Sequence, residues 1–124
     1  MLLHSNIIGK GQPFIILHGF LGMGDNWKTL AKKFSSLGFE LHLVDQRNHG
    51  RSFHDLEFNY EALASDLLHY CEYYGLKNCI LLGHSMGGKT AMLFAALYPE
   101  FVSKLIIADI APRFYPVHHE AILE

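Results

Sequence analysis

The stretch GHSMGGKT, Gly83 to Thr90, places residue types at spacings that suit two unrelated chemistries. From Gly83 to Gly87 it reads G-x-S-x-G, the strand-to-helix turn that projects a serine hydroxyl as an acyl nucleophile. From Gly83 to Thr90 it reads G-x-x-x-x-G-K-[ST], the loop whose backbone N–H groups cradle nucleotide phosphates. In that second reading Lys89 would serve the β/γ-phosphates and Thr90 a magnesium ion. The apolar run LIIAD, ending at Asp109, even has the form of a strand ending in a metal-binding aspartate.

The serine reading accounts for more residues. A nucleophile on a sharp turn needs small neighbours, and Gly83 and Gly87 stand two residues to either side of Ser85. The N–H of Met86 would face the substrate oxygen. A second oxyanion donor should come from the loop after an earlier strand, and HGFLG (18–22) supplies it through the N–H of Phe20, with Leu21 as second choice. The phosphate-loop reading gives neither HGF nor Ser85 a task, and it puts the loop after the third clear strand rather than an early one. Acyl chemistry is therefore favoured and nucleotide binding through 83–90 is not.

These residues need elements to hold them. Four short apolar runs have strand length: 14–18, 39–44, 78–83 and 104–109, with an earlier strand near Leu2–Ile8. Helical patterns lie between them. Trp27, Leu30, Ala31, Phe34 and Leu37 fall on one helical stripe, which Asp25 or Asn26 can cap and Gly38 can end. Leu63, Leu67, Cys71 and Tyr74 form a second stripe between an Asn59 cap and a Gly75 stop. A third helix starts in the glycine turn and runs to Pro99. Strand and helix thus alternate, which predicts an α/β fold with a parallel sheet and right-handed crossovers. In such sheets ligands gather at the carboxyl ends of strands. HGF, Asp45, Ser85 and Asp109 all follow strands in this way.

Whole-chain properties narrow the classes. The 124 residues suit about one domain, half of them are hydrophobic, and the formal net charge of −2 includes no basic block, so nucleic acid is not an expected partner. Nine histidines are many, yet no two have the i, i+4 spacing of an H-x-x-x-H or H-E-x-x-H pair, and His118 and His119 are adjacent. No metal and no cofactor are expected. Cys71 and Cys79 make no disulfide framework, no apolar run reaches the length of a membrane span, and no signal peptide opens the chain, so a cytoplasmic protein is expected. DQRNHGRS (45–52) reads as a loop braced by hydrogen bonds, with His49 structural. His42 and His69 read as packing or surface residues. Met23, Met86 and Met92 are candidates for an acyl pocket.

The motifs HGFLGMGDNW (18–27), DQRNHGRS (45–52), NYEALASDL (59–67), GHSMGGK (83–89) and DIAP (109–112) together resemble the α/β-hydrolase superfamily, and within it the small YbfF-like esterases. The resemblance implies a serine carboxylesterase or thioesterase acting on small or acyl-chain esters through an acyl-enzyme. It maps Ser85 to the nucleophile, Phe20 and Met86 to the oxyanion hole, and Asp109 to the acid that orients a histidine. His18, Leu21 and His84 become candidates for the substrate pocket, His18 also as a turn-stabilising residue.

The same resemblance divides the chain into residues 1–111, the N-terminal part of a hydrolase core, and 112–124, the start of a helical cap cut short. The triad of this fold runs Ser, Asp, His along the chain. Only His118 and His119 follow Asp109, at the point where the cap would begin. The chain alone is therefore expected to be essentially inactive, and its unpaired sheet edge is a site for self-association. A noncatalytic binding protein of the same fold and a perhydrolase-like enzyme are the alternatives.

Overall fold

The structure, a computed structural model, describes residues 1–19 and 27–108. Five strands form one mixed sheet in the order β1-β3-β2-β4-β5. They are β1 (Ser5–Ile8), β2 (Gln12–Leu17), β3 (Phe39–Val44), β4 (Cys79–His84) and β5 (Val102–Ala108). The four strands expected from apolar runs are β2 to β5 and pair in parallel, with Leu17 level with Val44 and with Gly83. The earlier strand expected near Leu2–Ile8 is β1, and it runs antiparallel to β3, with Ser5 opposite Val44, so the sheet is parallel apart from this edge strand. Residues 9–11 reverse the chain too tightly for the helical crossover that a parallel neighbour requires.

Alternation along the strands sorts the core into two layers. Phe14, Ile16, Leu41, Leu43, Ile80 and Leu82 face α1 (Lys28–Ser35), with Trp27 and Ala31 buried among them. Ile15, Leu17 and Leu81 face α2 (Tyr60–Tyr74) and α3 (Met86–Leu97), meeting Leu67, Tyr70, Cys71, Ala91 and Phe94. Cys71 and Cys79 are free thiols inside this second layer.

The helix boundaries follow local chemistry. The Asn59 side chain accepts the Ala62 N–H at 2.7 Å, and Gly75 closes α2 in the left-handed conformation. For α1 the N-cap is Trp27, without a side-chain bond; Asp25 and Asn26 lie outside the described residues. Its end also differs from expectation, since Leu37 is 67% exposed beyond the last turn. The hydroxyls of Ser35 and Ser36 bond back to the carbonyls of Lys32 and Lys33, satisfying groups that a further turn would otherwise use. On α2, Leu63, Leu67 and Cys71 are buried as expected, but Tyr70 takes the place foreseen for Tyr74, which is 40% exposed. Tyr70 stands two turns from Leu63, and its hydroxyl has buried polar company. It bonds His42 Nδ1 at 2.7 Å and donates to Ser5 Oγ at 2.8 Å, tying α2 to β3 and β1.

The sheet order also fixes where a site would form. The chain steps from β2 to β3 on one side, then crosses back to place β4 on the other. The carboxyl ends of β2 and β4 therefore flank the point where the winding reverses, the usual position of a crevice in open α/β sheets.

Candidate functional site

Ser85 sits at that crevice, between the last residue of β4 and the first of α3. Its backbone angles are φ 54° and ψ −114°. This conformation lies outside the left-handed helical basin as well as the ordinary right-handed regions. Single positions of this kind cost ~1–3 kcal/mol and persist only where the surroundings enforce them. Here the enforcement is close packing. A Cβ on Gly83 would lie 2.2 Å from the Gly87 carbonyl oxygen, and one on Gly87 would lie 2.3 Å from the Leu17 carbonyl oxygen. Only glycine at both positions lets α3 start directly on top of β4 while resting against β2. The strained turn lifts the Ser85 side chain into an exposed position.

The backbone around Ser85 is anchored on two sides. Its N–H reaches the Ala108 carbonyl at 3.4 Å, and its carbonyl accepts the N–H groups of Gly88 and Lys89 at 2.9 and 3.1 Å. Met86 is the first residue of α3 and 6% exposed. Its N–H belongs to the first turn, where amides have no partner inside the helix. From β2, Gly19 approaches so closely that a Cβ there would lie 3.3 Å from Ser85 Cβ. The HGF turn therefore arrives at the serine, as its spacing suggested, although Phe20 and Leu21 lie outside the described residues. So does Asp109, immediately after Ala108 where the described part of β5 ends.

Ser85 opens onto a pocket of about 540 Å³ whose described walls include Phe58, Leu63, Met86, Met92 and Ile107. Two of the three methionines singled out for an acyl pocket are thus in it; Met23 lies outside the described residues. Neither His18 nor His84 is among its lining side chains. His18 is 1% exposed. The Gln46 N–H donates to its Nε2 at 2.9 Å, so Nδ1 carries the proton and donates to the Gly19 carbonyl at 2.7 Å. Burial holds its pKa below the usual value, against the opposing pull of that carbonyl. With both ring nitrogens engaged, His18 braces the turn after β2 and has no lone pair for a substrate proton. His84 packs edge-on to Trp27, ring centroids 5.9 Å apart, on the α1 side.

The loop 45–52 behaves as a brace. The Asp45 carboxylate accepts the Arg51 N–H, the Ser52 hydroxyl donates to the Asp45 carbonyl, and the Ser52 oxygen accepts the His4 N–H. His49 is buried, with Nδ1 against the Arg47 carbonyl at 2.9 Å. Sequence reasoning missed the partner of Arg47. Its guanidinium forks onto Asp66 of α2 at 2.7 and 2.9 Å, and its third arm donates to the Glu57 carbonyl. The signal was an aspartate inside the apolar stripe of α2, between Leu63 and Leu67. This clamp holds residues 57–59, and with them the Phe58 wall of the pocket.

The phosphate-loop pattern in 83–90 has no loop to match it, because residues 86–90 are already helical. The Thr90 hydroxyl is buried and donates to the Met86 carbonyl at 3.2 Å. Among the described residues no group of three or more His, Cys, Asp or Glu side chains is placed to hold a metal ion. No described helix is long and apolar enough to cross a membrane.

Comparison with known proteins bears on the same residues. A family model described as the alpha/beta hydrolase fold matches residues 12–123. The chain is 44% identical over 99 residues to the sn-1-specific diacylglycerol lipase ABHD11 of Mus musculus, covering 79% of this chain and 32% of the lipase. It is 38% identical over 106 residues to Ethanol acetyltransferase 1 of Cyberlindnera jadinii, covering 85% of this chain and 32% of that protein. Among solved structures it superposes on a marine microorganism esterase with a TM-score of 0.86 at 47% identity, over 94% of this chain and 45% of the esterase. The chain spans between 30% and 42% of the length of its leading curated relatives.

Proposed function

The chain belongs to the α/β-hydrolase family, with esterase- and lipase-type relatives, and on that premise we propose that it carries the nucleophile half of a serine carboxylesterase or thioesterase. The observation that carries the reading is Ser85 itself. A non-glycine residue is held at φ 54°, ψ −114° on the rim of an apolar pocket, where an unstrained turn would serve any purely structural purpose.

In the proposed reaction Ser85 Oγ attacks the carbonyl carbon of an ester or thioester. Its proton passes to a histidine base that Asp109 orients. The tetrahedral oxyanion is held by the N–H groups of Met86 and Phe20. The alcohol or thiol leaves with the proton taken from Ser85. A water, deprotonated by the same base, then releases the acyl group as its acid and restores the serine. The base is not assigned to a described imidazole, and His18 is excluded because both of its nitrogens are engaged. Residues 1–124 alone should therefore react sluggishly, although an oxyanion hole without a complete triad still gives ~10³–10⁴-fold acceleration over water.

The test is labelling of the intact protein with a fluorophosphonate, which should modify Ser85 and fail on Ser85→Ala. Robust p-nitrophenyl acetate turnover by residues 1–124, abolished by Ser85→Ala, would overturn the claim of sluggishness. A second reading rests on the likeness to an ethanol acetyltransferase. The same acyl-enzyme would then be resolved by an alcohol instead of water. Product analysis with ethanol present, seeking ethyl ester beside free acid, separates the two.

A further inference from the structure

Lys89 is the one charged side chain among the described residues that line the pocket, and nothing in the reaction just proposed uses it. It stands one helical turn after Ser85, its own N–H bonded to the Ser85 carbonyl at 3.1 Å. Residues four apart on a helix share a face, with Cβ atoms ~5–6 Å apart. Its ammonium lies 6.0 Å from the centre of the Tyr60 ring, another pocket-lining side chain, so a cation–π contact draws it toward the mouth.

Among the described residues Lys89 forms no salt bridge and no carboxylate lines the pocket. Glu61 follows Tyr60 on α2 but is not part of the lining. A cation in the first turn of α3, which has no acidic residue, is also opposed by the helix dipole. Lys89 is exposed at the pocket, so its ammonium is accessible to a bound anion and open to screening by salt.

The geometry points to Lys89 as a specificity residue for esters whose acyl group ends in an anion, a carboxylate or phosphate. This rests on the serine-hydrolase reading of Ser85. The apolar walls take the intervening methylenes, and the ammonium on its flexible stem takes the terminal charge.

The experiment uses two p-nitrophenyl alkylphosphonates on the intact protein, alike except that one chain ends in a carboxylate and the other in its methyl ester. The second-order rate of Ser85 modification is read from p-nitrophenolate release and confirmed by mass. The carboxylate probe should react about 5-fold faster than the size of its neutral twin predicts, an advantage that shrinks as ionic strength rises. Lys89→Met should remove the preference, Lys89→Arg should keep it, and Lys89→Glu should reverse it. Equal rates for the two probes, or a preference untouched by Lys89→Met, would overturn the inference and leave the hydrolase reading standing. Failure of both probes to modify Ser85 would overturn the hydrolase reading, and this inference with it.

Discussion

Replacing Ser85 by glycine and by alanine separates backbone strain from chemistry. At φ 54°, ψ −114° any residue with a Cβ is disfavoured, and glycine is not. Relief of that strain is worth ~1–3 kcal/mol. Glycine also enlarges the freedom of the unfolded chain, which offsets ~0.4–1 kcal/mol of the gain. Alanine keeps the strain and removes only an exposed hydroxyl, so its effect should stay within ~0.5 kcal/mol of the unaltered protein. The glycine variant should therefore be more stable than the alanine variant by ~1–2 kcal/mol. Both should be inert toward fluorophosphonate. Urea unfolding followed by circular dichroism, with the two variants side by side, reads the difference as a shift in midpoint at constant slope. A glycine variant no more stable than the alanine variant would refute the argument that the fold holds this residue under strain.

Three further outcomes follow from the same contacts. Gly87→Ala should prevent proper folding or cost more than ~3 kcal/mol, since its Cβ would meet the backbone oxygen of Leu17 at 2.3 Å; thermal unfolding checks this. Asp66→Ala should cost ~3–5 kcal/mol because it leaves the Arg47 guanidinium, about one-tenth exposed, without its forked partner, and a near-neutral result in urea would contradict it. Stability should fall on acidification, because burial lowers the pKa of His18 and His42 below the usual 6.5. The unfolded chain then binds protons that the folded chain does not. The contribution is complete above 6.5 and is lost as the pH drops through the lowered folded values. His18→Asn should flatten that slope, measured as unfolding free energy on either side of the window.

Much of the architecture was legible in the chain because local chemistry and hydrophobic period agreed. Each apolar run became a strand within two residues at its start. Asn59 and Gly75 closed α2 with their own atoms. The glycines around Ser85 announced a close approach, and the approach is there. What periodicity left open was the partner of each polar group. His42 read as packing or surface, yet its ring joins Glu40 to Tyr70 across two elements. Arg47 read as part of a braced loop, while its brace is Asp66, nineteen residues on.

The sequence by itself determined that a serine would stand between a strand and a helix among residues too small to crowd it, since that follows from residue size at fixed spacing. The residues already favoured the serine pattern over the phosphate loop in 83–90, and the tertiary structure adds the backbone geometry that a phosphate loop would have to match. Helix α3 begins at Met86 and ties the Thr90 hydroxyl to a carbonyl one turn back, so no open loop exists to surround a phosphate. Only the tertiary structure decided what faces the serine. The pocket joins Phe58 from before α2, Tyr60 from its first turn, Met86 and Lys89 from α3 and Ile107 from β5. Those residues meet because the sheet reverses its winding between β2 and β4, and strand order is a property of long-range packing that no short window of sequence contains.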